Sequence, residues 1–576
     1  MDEWKPKPRS RRMAAFRRNP TPTFKLLAAV LIITFYLLYV SIYGVASPVD
    51  ETSHDLIGPV IQHRPWTGPS GRADEAKTKK VAEAMKYTFA KYKQRAWGYD
   101  DILPVSGGKH NSRNGWGAFI VDSASTLALM GLWDEFMLSL DHIIDIDFST
   151  AEGLVDPFET TIRYVGGIVS LIDLIDAGVV PPKLVTGEQR LALLSQATIL
   201  ANKLAPAYDS PTGMPYPRVN FKKDIGQGDP PELYEKYPDK VRYENPSIGP
   251  ARAGSNLLEY RTLTRLNGIE DYFANASLSW APLVWDKYIQ KPPGLISAPI
   301  DITTGAPVGR QRHWDAGHDS YYEYLIKAAI LAPKDRYSKA YEERWLQAVD
   351  ALRHSLATRS SYADNYNPQH LFIGKLDGEW YLNEQSHLAC FAPGNLMLGA
   401  SYLAKPALIK TAQALLEACH HTYASTSTGI GPELWSWEPM SNLPPGTFSP
   451  QSPRQRLELA HHGFWVVDPS FRLRPEYVES LFYAWRITGQ KRYRDWAWDA
   501  FLAMEKHCKT DFGYAALQDV MAGGEGKRRV KHLDESESFW AAETLKYIFL
   551  TLTDVNVGSL DEWVFSTEGH PFRMIR

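Results

Sequence analysis

The chain has 576 residues, with 63 basic and 66 acidic side chains and a formal net charge of −3. Hydrophobic residues make up 44% and charged residues 22%, which is typical of a folded protein and excludes a disordered one. The balanced charge gives no general attraction to nucleic acid, so no nucleic-acid partner is predicted, and three cysteines exclude a four-cysteine zinc site.

The first 46 residues predict a membrane anchor. Residues 1–25 carry eight basic and two acidic side chains, and residues 26–46 contain no charged side chain. A run of about 20 apolar residues spans the hydrocarbon layer of a bilayer, and the basic flank stays on the cytosolic side. We therefore interpret 1–25 as a cytoplasmic tail and 26–46 as a single transmembrane signal anchor of type II topology. The alternative is a cleaved signal peptide.

The rest of the chain is then expected in the lumen of the secretory pathway. Residues 47–76 contain four prolines among small polar residues and predict a stem, followed by a lumenal domain at 77–576. Asn275 begins the triplet Asn-Ala-Ser, a predicted N-glycosylation acceptor that is meaningful only in a lumenal chain.

Helical patterns recur along the predicted domain, and strand-like alternation is scarce. Val478, Leu481, Phe482 and Trp485 are spaced as one face of a helix, which Gly489 is expected to end. Similar helix–glycine–helix patterns occur at 256–276, 319–357, 395–420 and 536–552, without a fixed repeat length that would indicate an open solenoid. The sequence therefore predicts one all-α domain of paired helices, with loops or short hairpins over the proline-rich stretch 205–255.

The chemistry of the domain is expected to depend on acidic residues near helix starts. The usual metalloprotease, serine hydrolase and nucleotide-binding motifs are absent from the sequence. Locally, Glu159 fits a capping box with Asp156 or an ion pair with Arg163. Asp319 and Glu323 are four residues apart and repel each other when both are ionised, which favours a functional role with a proton or cation between them. Carboxylate pairs are the groups that cleave glycosidic bonds.

Several segments between residues 82 and 572 together resemble glycoside hydrolase family 47, the class I α-1,2-mannosidases. The matching segments occur in the family's order: Ala96–Gly98, Val121–Ser123, Met130–Phe136, Phe158–Arg163, Asp319–Tyr324, His387–Phe391, Gly431–Glu433, Leu473–Glu476, Ala542–Tyr547 and Val564–Pro571.

The resemblance implies an (α/α)7 barrel that removes α-1,2-linked mannose from high-mannose N-glycans with inversion. Glu159 is then the expected general acid, acting directly or through a water, and Glu476 the expected general base. Asp319 is similar to a third essential carboxylate that is sometimes proposed as the acid. Thr567 matches the residue that binds Ca²⁺ through its hydroxyl and carbonyl oxygens. The resemblance assigns sugar or calcium-bound water contacts to Arg163, Glu323, His387, Glu433, Arg474, Glu479, Phe539, Glu543 and Glu568.

The same resemblance implies a disulfide between Cys390 and Cys419, with two buried thiols as the alternative. Two positions depart from the family pattern. Ser125 replaces an aspartate, and Gly317 replaces the arginine by which the endoplasmic-reticulum enzymes select one glycan branch, so a broader, Golgi-like trimming pattern is left open. Residence in the endoplasmic reticulum or the Golgi is also left open. The alternative functions are a glycan-binding quality-control protein with little hydrolysis and, more remotely, a calcium-independent glycosidase of glucans.

Overall fold

The computed structural model describes residues 60–66, 71–238, 240–284, 291–361, 369–440, 448–523 and 529–576. The predicted cytoplasmic tail and membrane anchor, and most of the predicted stem, lie outside these residues. Among the residues that the structure describes, no helix combines the length and the apolar character needed to cross a membrane.

Helices account for most of the described chain. In chain order the α-helices are α1 Glu75–Ala96, α2 Ala118–Met130, α3 Trp133–Asp145, α4 Pro157–Thr160, α5 Gly166–Asp176, α6 Gly187–Leu204, α7 Pro231–Lys236, α8 Pro250–Gly254, α9 Leu257–Asn267, α10 Glu270–Val284, α11 Asp319–Leu331, α12 Ser338–Ala351, α13 Ala392–Tyr402, α14 Pro406–Ala424, α15 Pro453–His462, α16 Glu476–Thr488, α17 Lys491–His507 and α18 Leu545–Leu552. Short π-helical turns at Thr161–Val165, Leu352–Leu356 and Trp540–Thr544 and 3₁₀ turns at Ala205–Tyr208 and His387–Phe391 extend or join them.

Fourteen of these helices form seven pairs in the described part of the chain. The pairs are α2 with α3, α5 with α6, α9 with α10, α11 with α12, α13 with α14, α16 with α17, and α18 with α1. The first member of each pair contacts the first members of the neighbouring pairs, so that α2, α5, α9, α11, α13, α16 and α18 form a closed inner ring. This is the (α/α)7 arrangement that the resemblance implies.

Burial separates the inner helices from the outer ones. On α2 every residue from Ala118 to Leu129 is buried, whereas α1 exposes a face rich in lysine and glutamate. An inner helix is covered by its partner on one side and by the ring contents on the other, so it must be apolar on most of its surface. This explains why the inner helices lack a clear polar stripe in the sequence.

The domain is helix-rich, as predicted, and its helices are connected by short strands. They are β1 Asp101–Leu103, β2 Gly108–His110, β3 Arg218–Asn220, β4 Ile225–Gln227, β5 Ser247–Ile248, β6 Ala298–Asp301, β7 Pro307–Arg312, β8 Ala357–Arg359, β9 Leu371–Ile373, β10 Lys375–Asp377, β11 Trp380–Leu382, β12 Glu384–Ser386, β13 Leu434–Ser436, β14 Trp465–Asp468, β15 Lys509–Thr510, β16 Gly513–Tyr514, β17 Trp563–Phe565 and β18 Pro571–Arg573. Strands this short hold too few residues to show an alternating pattern, and their pairing satisfies the backbone groups of the long connections.

The strands form small antiparallel sheets. The largest has five strands in the order β11-β10-β7-β6-β5, and a second has three in the order β12-β13-β14. The proline-rich stretch predicted as loops and short hairpins contains the β3–β4 hairpin, the short helix α7 and strand β5.

The β17–β18 hairpin lies inside the inner ring. It contacts α5 and α11, the Ser170 hydroxyl donates to the Pro571 carbonyl at 2.9 Å, and the Lys546 ammonium donates to the Gly569 carbonyl at 2.6 Å. The Ile575 amide donates to the Leu331 carbonyl at the C-terminal end of α11. The hairpin therefore fills the half of the ring at the C-terminal ends of the inner helices and leaves a cavity at their N-terminal ends.

Residues 60–66, which belong to the predicted stem, are in contact with the barrel. The His63 amide donates to the Arg486 carbonyl at the end of α16, and the Trp66 ring lies 4.9 Å from the Trp485 ring. Ile61 is buried, and its amide donates to the Asp561 carboxylate at 2.6 Å. The last part of the predicted stem thus packs at the C-terminal ends of the inner helices, away from the cavity.

Candidate active site

A cavity of about 370 Å³ opens at the N-terminal ends of the inner helices. Eleven of the predicted site residues line it: Glu159, Arg163, Asp319, Glu323, Arg474, Glu476, Glu479, Phe539, Glu543, Thr567 and Glu568. His387 and Glu433 lie directly behind this wall, where each is bonded to a lining residue. Segments that are about 400 residues apart in sequence therefore meet around one space large enough for a sugar.

The start of helix α4, which the π-helical turn Thr161–Val165 joins to α5, places Glu159 at the cavity. The Asp156 carboxylate caps this start by accepting from the amides of Phe158 and Glu159, with Pro157 in the first turn. The capping interpretation is confirmed for Asp156. The Glu159 carboxylate, however, accepts from Arg163 Nε at 2.9 Å and from Arg113 Nε at 3.1 Å.

These arginines keep Glu159 ionised. Burial opposes the ionisation of Glu159, but the charges of Arg163 and Arg113 outweigh it and lower its pKa to about 2. Arg163 also donates to the Asp122 carboxylate at 3.1 Å and to Glu568. Glu159 is therefore an anion at any pH at which the protein is expected to work.

Asp319, the first residue of α11, has the opposite electrostatic environment. The Ser320 amide donates to its carboxyl group at 2.8 Å, but burial dominates and, with the nearby charges of Asp315 and Glu323, raises the pKa of Asp319 to about 7. Asp319 thus holds a proton near neutral pH, which is the state needed for a proton donor.

Glu476 begins α16 and is held by a histidine. Its Oε2 lies 2.7 Å from Nδ1 of His387, whose Nε2 is 2.7 Å from the Tyr423 hydroxyl. Burial opposes the ionisation of Glu476, but His387 and then Arg474 lower its pKa. A carboxylate that is oriented in this way can accept a proton from a water molecule.

The backbone before Glu476 is strained. Leu473 has φ 62°, a conformation that costs a non-glycine residue on the order of 1–3 kcal/mol. The Thr544 hydroxyl donates to the Leu473 carbonyl at 2.7 Å and holds this bend, after which Arg474 reaches the Glu433 carboxylate. Such strain close to a catalytic candidate indicates a position fixed for function rather than for stability.

The turn of the β17–β18 hairpin offers oxygen ligands at the bottom of the cavity. The Thr567 amide donates to the Tyr324 hydroxyl at 3.2 Å, and among the described residues neither the hydroxyl nor the carbonyl oxygen of Thr567 has a hydrogen-bond partner. Burial, with the nearby charges of Glu568 and Glu479, raises the pKa of Glu543.

Thr567 therefore presents two free hard oxygens beside a surplus of buried acids, a donor set that fits Ca²⁺. The described residues contain no group of three or more His, Cys, Asp or Glu side chains placed to hold a metal. An ion at this position would consequently depend on the Thr567 oxygens and on water molecules held by the acids.

Several residues of the site lacked a recognisable signal in the sequence. Arg113 bridges Glu159 and Glu537, and Lys327 pairs with Glu323 and lies 3.6 Å from Glu479. Asp122 lies in the matched segment Val121–Ser123, but no role was predicted for it. Arginines in loops and lysines inside a buried helix carry no local pattern that distinguishes them from surface charges.

The two departures from the family pattern lie in different places. Ser125 is buried behind Asp122, with its hydroxyl 3.2 Å from His570 Nδ1 and 2.9 Å from Lys546 Nζ. Gly317 lines the cavity with φ 90°, and a side-chain carbon added there would meet no atom within 4 Å.

Cys390 and Cys419 form a disulfide, as the resemblance implied. Cys508 is buried as a free thiol. Asn275 lies half-buried within α10, and its glycosylation stays a prediction.

Comparisons with known proteins agree with this geometry. The model of glycosyl hydrolase family 47 matches residues 84–574. A probable mannosyl-oligosaccharide alpha-1,2-mannosidase 1B of Aspergillus clavatus is 37% identical over 512 residues, which cover 86% of this chain and 92% of that protein. The mannosyl-oligosaccharide alpha-1,2-mannosidase of Penicillium citrinum is 34% identical over 562 residues, covering 94% and 99%.

A solved structure gives the same result at the level of the fold. The alpha-1,2-mannosidase from Trichoderma reesei superposes with a TM-score of 0.79 at 31% identity, covering 88% of this chain and 100% of that one. With the matched segments gathered around one acidic cavity, the chain belongs to glycosyl hydrolase family 47 and is a glycoside hydrolase.

Proposed function

We propose that the protein is an inverting, calcium-dependent exo-α-1,2-mannosidase that trims high-mannose N-glycans on glycoproteins. The observation that carries the proposal is the meeting of Glu159, Asp319, Glu476 and Thr567 around one cavity that is closed at its bottom by the β17–β18 hairpin. Because the cavity is closed at its bottom, it admits the end of a glycan chain. The relatives named above act on mannosyl-oligosaccharides at α-1,2 linkages.

In the proposed reaction a terminal mannose enters the cavity against the Phe539 ring. Glu476, oriented by His387, takes a proton from a water molecule that attacks the anomeric carbon. A carboxyl group on the opposite side gives a proton to the leaving oxygen, and the bond from the anomeric carbon to that oxygen breaks. Direct attack by water inverts the anomeric configuration.

The predicted general acid is Glu159, but the pKa values favour Asp319 as the group that donates the proton. Glu159 is ionised by its two arginines, whereas Asp319 retains a proton near pH 7. Glu159 can serve as acid only by relaying a proton through a water, while Asp319 can donate directly.

Calcium would be held by the Thr567 oxygens, with water molecules bound to Glu479, Glu543 and Glu568. When bound, it would supply positive charge that offsets the repulsion among these acids and binds sugar hydroxyls.

The test is release of mannose from a nine-mannose N-glycan, with calcium or with a chelator. We expect mannose release in calcium, loss in the chelator and recovery when calcium is restored, with β-mannose as the first product by proton NMR. Glycan binding without any release would instead support the quality-control alternative, and α-mannose as first product would exclude inversion.

We also propose that the protein resides in the endoplasmic reticulum or Golgi membrane as a single-pass type II protein. The support is the basic flank and uncharged run of residues 1–46 and the disulfide between Cys390 and Cys419, since disulfides form in oxidising compartments. Resistance of the full chain to extraction from membranes at alkaline pH, with the C-terminal part protected from added protease, is the expected result. Complete extraction would contradict it.

A further inference from the structure

Lys546 is a fully buried side chain that contacts the turn of the β17–β18 hairpin. Its Nζ donates to the carbonyl of Gly569, two residues after Thr567, at 2.6 Å and to the Ser125 hydroxyl at 2.9 Å. A lysine ammonium carries a full positive charge, and a buried charge is normally paired with an opposite one. Both partners of Lys546 are neutral, and among the described residues it belongs to no ion pair.

A second buried lysine at the cavity shows the usual arrangement. Lys327 is paired with Glu323, and although burial opposes its charge, this carboxylate outweighs burial and raises the pKa of Lys327. For Lys546 burial dominates instead and lowers the pKa to about 7. The acids that act on Lys546 from a greater distance are Asp122, Glu543 and Glu568. The two lysines therefore differ in whether their charge is balanced by direct contact.

The contacts of Ser125 explain why it leaves this charge unbalanced. Burial lowers the pKa of His570 to about 4, so its ring is neutral. Its Nε2 lies 3.2 Å from the Asp122 carboxylate and therefore carries the proton, while its Nδ1 accepts from the Ser125 hydroxyl at 3.2 Å. The Ser125 oxygen is then an acceptor for Lys546. The Asp122 carboxylate thus reaches Lys546 only through two neutral side chains.

The residue at position 125 determines how much of the Lys546 charge acts on the calcium turn. An aspartate there, as in the family pattern, would place a carboxylate against the ammonium. With serine, the unpaired ammonium acts on Glu543 and Glu568, which are expected to hold calcium-bound water. Charges interact strongly over several ångströms in a buried site, so this cation offsets part of the negative charge that would attract a divalent ion.

We propose that Lys546, which Ser125 leaves without a carboxylate partner, acts as a built-in positive charge that weakens calcium binding at Thr567, so that residue 125 sets the calcium affinity of the site. The proposal rests on the calcium-dependent function stated above. The bond from Lys546 to the Gly569 carbonyl holds the turn in place, while its charge opposes the ion that the turn would bind.

The test is calorimetric titration of the full chain with calcium chloride, at constant ionic strength and at pH 6, where Lys546 is protonated. Ser125→Asp should lower the Kd for calcium at least about tenfold, because the new carboxylate pairs the ammonium. Because tighter binding stabilises the folded state more, the rise in Tm on addition of millimolar calcium should also be larger in this variant.

Ser125→Asn is the matched control, because asparagine has the size of aspartate and can bond to both Lys546 and His570 without adding a charge. Its Kd should stay within about twofold of that of the unmodified protein. Lys546→Met is a second variant, which removes the charge and keeps the length of the side chain. It should also lower the Kd, whereas the loss of a purely structural contact would raise it.

An unchanged or higher Kd in both Ser125→Asp and Lys546→Met would overturn this inference, and so would equal decreases in Ser125→Asn and Ser125→Asp. Release of mannose by the unmodified protein would leave the mannosidase proposal standing in either case. Calcium binding with the expected order of Kd values, but without any release of mannose, would instead overturn the mannosidase proposal alone.

Discussion

Three carboxyl groups in one cavity differ in their nearest charges, and that difference sets their protonation. Glu159 lies against two arginines and Glu476 against His387, so both are ionised. Asp319 has acids as its neighbours and retains a proton near pH 7. The same functional group is thus an anion, a candidate base or a candidate proton donor according to its surroundings, which is the general way in which one site runs acid and base chemistry together.

The first prediction concerns the base. Glu476→Gln should lower kcat at least about a thousandfold, because the amide cannot take a proton from the attacking water. Glycan affinity measured by calorimetry should change little, since the amide keeps the size of the side chain and its place at the start of α16. Activity close to that of the unmodified protein would remove Glu476 from this role.

The second prediction concerns the proton donor. Asp319 must be protonated to donate, and its pKa is raised to about 7, so kcat/KM should be full below that pH and fall as the pH rises through about 7. In Asp319→Asn the residual activity should lose this alkaline limb. In Glu159→Gln activity should fall but the limb should remain, because the pKa of Glu159, about 2, lies far from it.

The pH profiles of both variants between pH 5 and 9 decide between the two acids. Persistence of the alkaline limb in Asp319→Asn, with its loss in Glu159→Gln, would assign proton donation to Glu159.

The sequence was informative about acids and much less so about their partners. Asp156 and Pro157 are local signals for the start of a helix. The placement of Glu159 in the first helical turn could therefore be predicted from neighbouring residues alone. The partner Arg113 is 46 residues away and approaches Glu159 only after the ring closes. The ionisation of Glu159 therefore depends on tertiary structure and was not accessible from local pattern.

At the scale of single elements, the disulfide joins two helices of one pair. Cys390 lies in the turn before α13 and Cys419 lies in α14, at a sequence separation of 29. This bond restrains the segment that carries His387, three residues before Cys390, and through it the orientation of Glu476.

The third prediction follows from that bond. The double variant Cys390→Ala, Cys419→Ala should be destabilised by about 3–4 kcal/mol, the chain-entropy value for a loop of this length. Differential scanning calorimetry at a fixed scan rate should show a lower Tm. A reductant should lower the Tm of the unmodified protein and leave that of the double variant unchanged; an equal response in both would assign the effect to another group.

Element type was predicted well where the helix face was periodic and poorly elsewhere. The helix that ends at Gly489 has its C-cap at that residue, with φ 66°. The three-residue strands between helices were missed, because a strand such as Leu434–Ser436 is defined by pairing with residues about 50 and 30 positions away. Such pairing is a tertiary contact and leaves no periodic signal in the strand itself.

At the scale of the whole molecule, the chain enters the barrel at the end away from the cavity. Residues 60–66 pack against the end of α16 and against the loop around Asp561, whereas every catalytic candidate lies at the opposite end of the ring. Arg486, fully buried, donates to Gln62 and to the carbonyls of Leu550 and Val557, and so joins this segment to the last helix.

The fourth prediction tests this attachment. A chain that starts at Gly71 should be less stable than one that starts at Pro59 by about 2–4 kcal/mol, because it loses the burial of Ile61 and the Trp66 contact and leaves part of Arg486 unpaired. Thermal unfolding at one scan rate should show a lower Tm for the shorter chain. Identical Tm values would show that residues 60–66 only rest on the surface.

Ring closure pairs α1 with α18, the first and last α-helices of the described residues, and the turn that carries Thr567 follows α18. During synthesis from the N-terminus, the inner faces of the earlier helices therefore stay uncovered until α18 and the β17–β18 hairpin have been translated. A ribosome-bound chain that lacks this portion has neither a closed ring nor a cavity floor. Hydrolytic competence thus requires translation through the β17–β18 hairpin, and a product terminated before it would expose apolar surface to chaperones instead of acquiring activity.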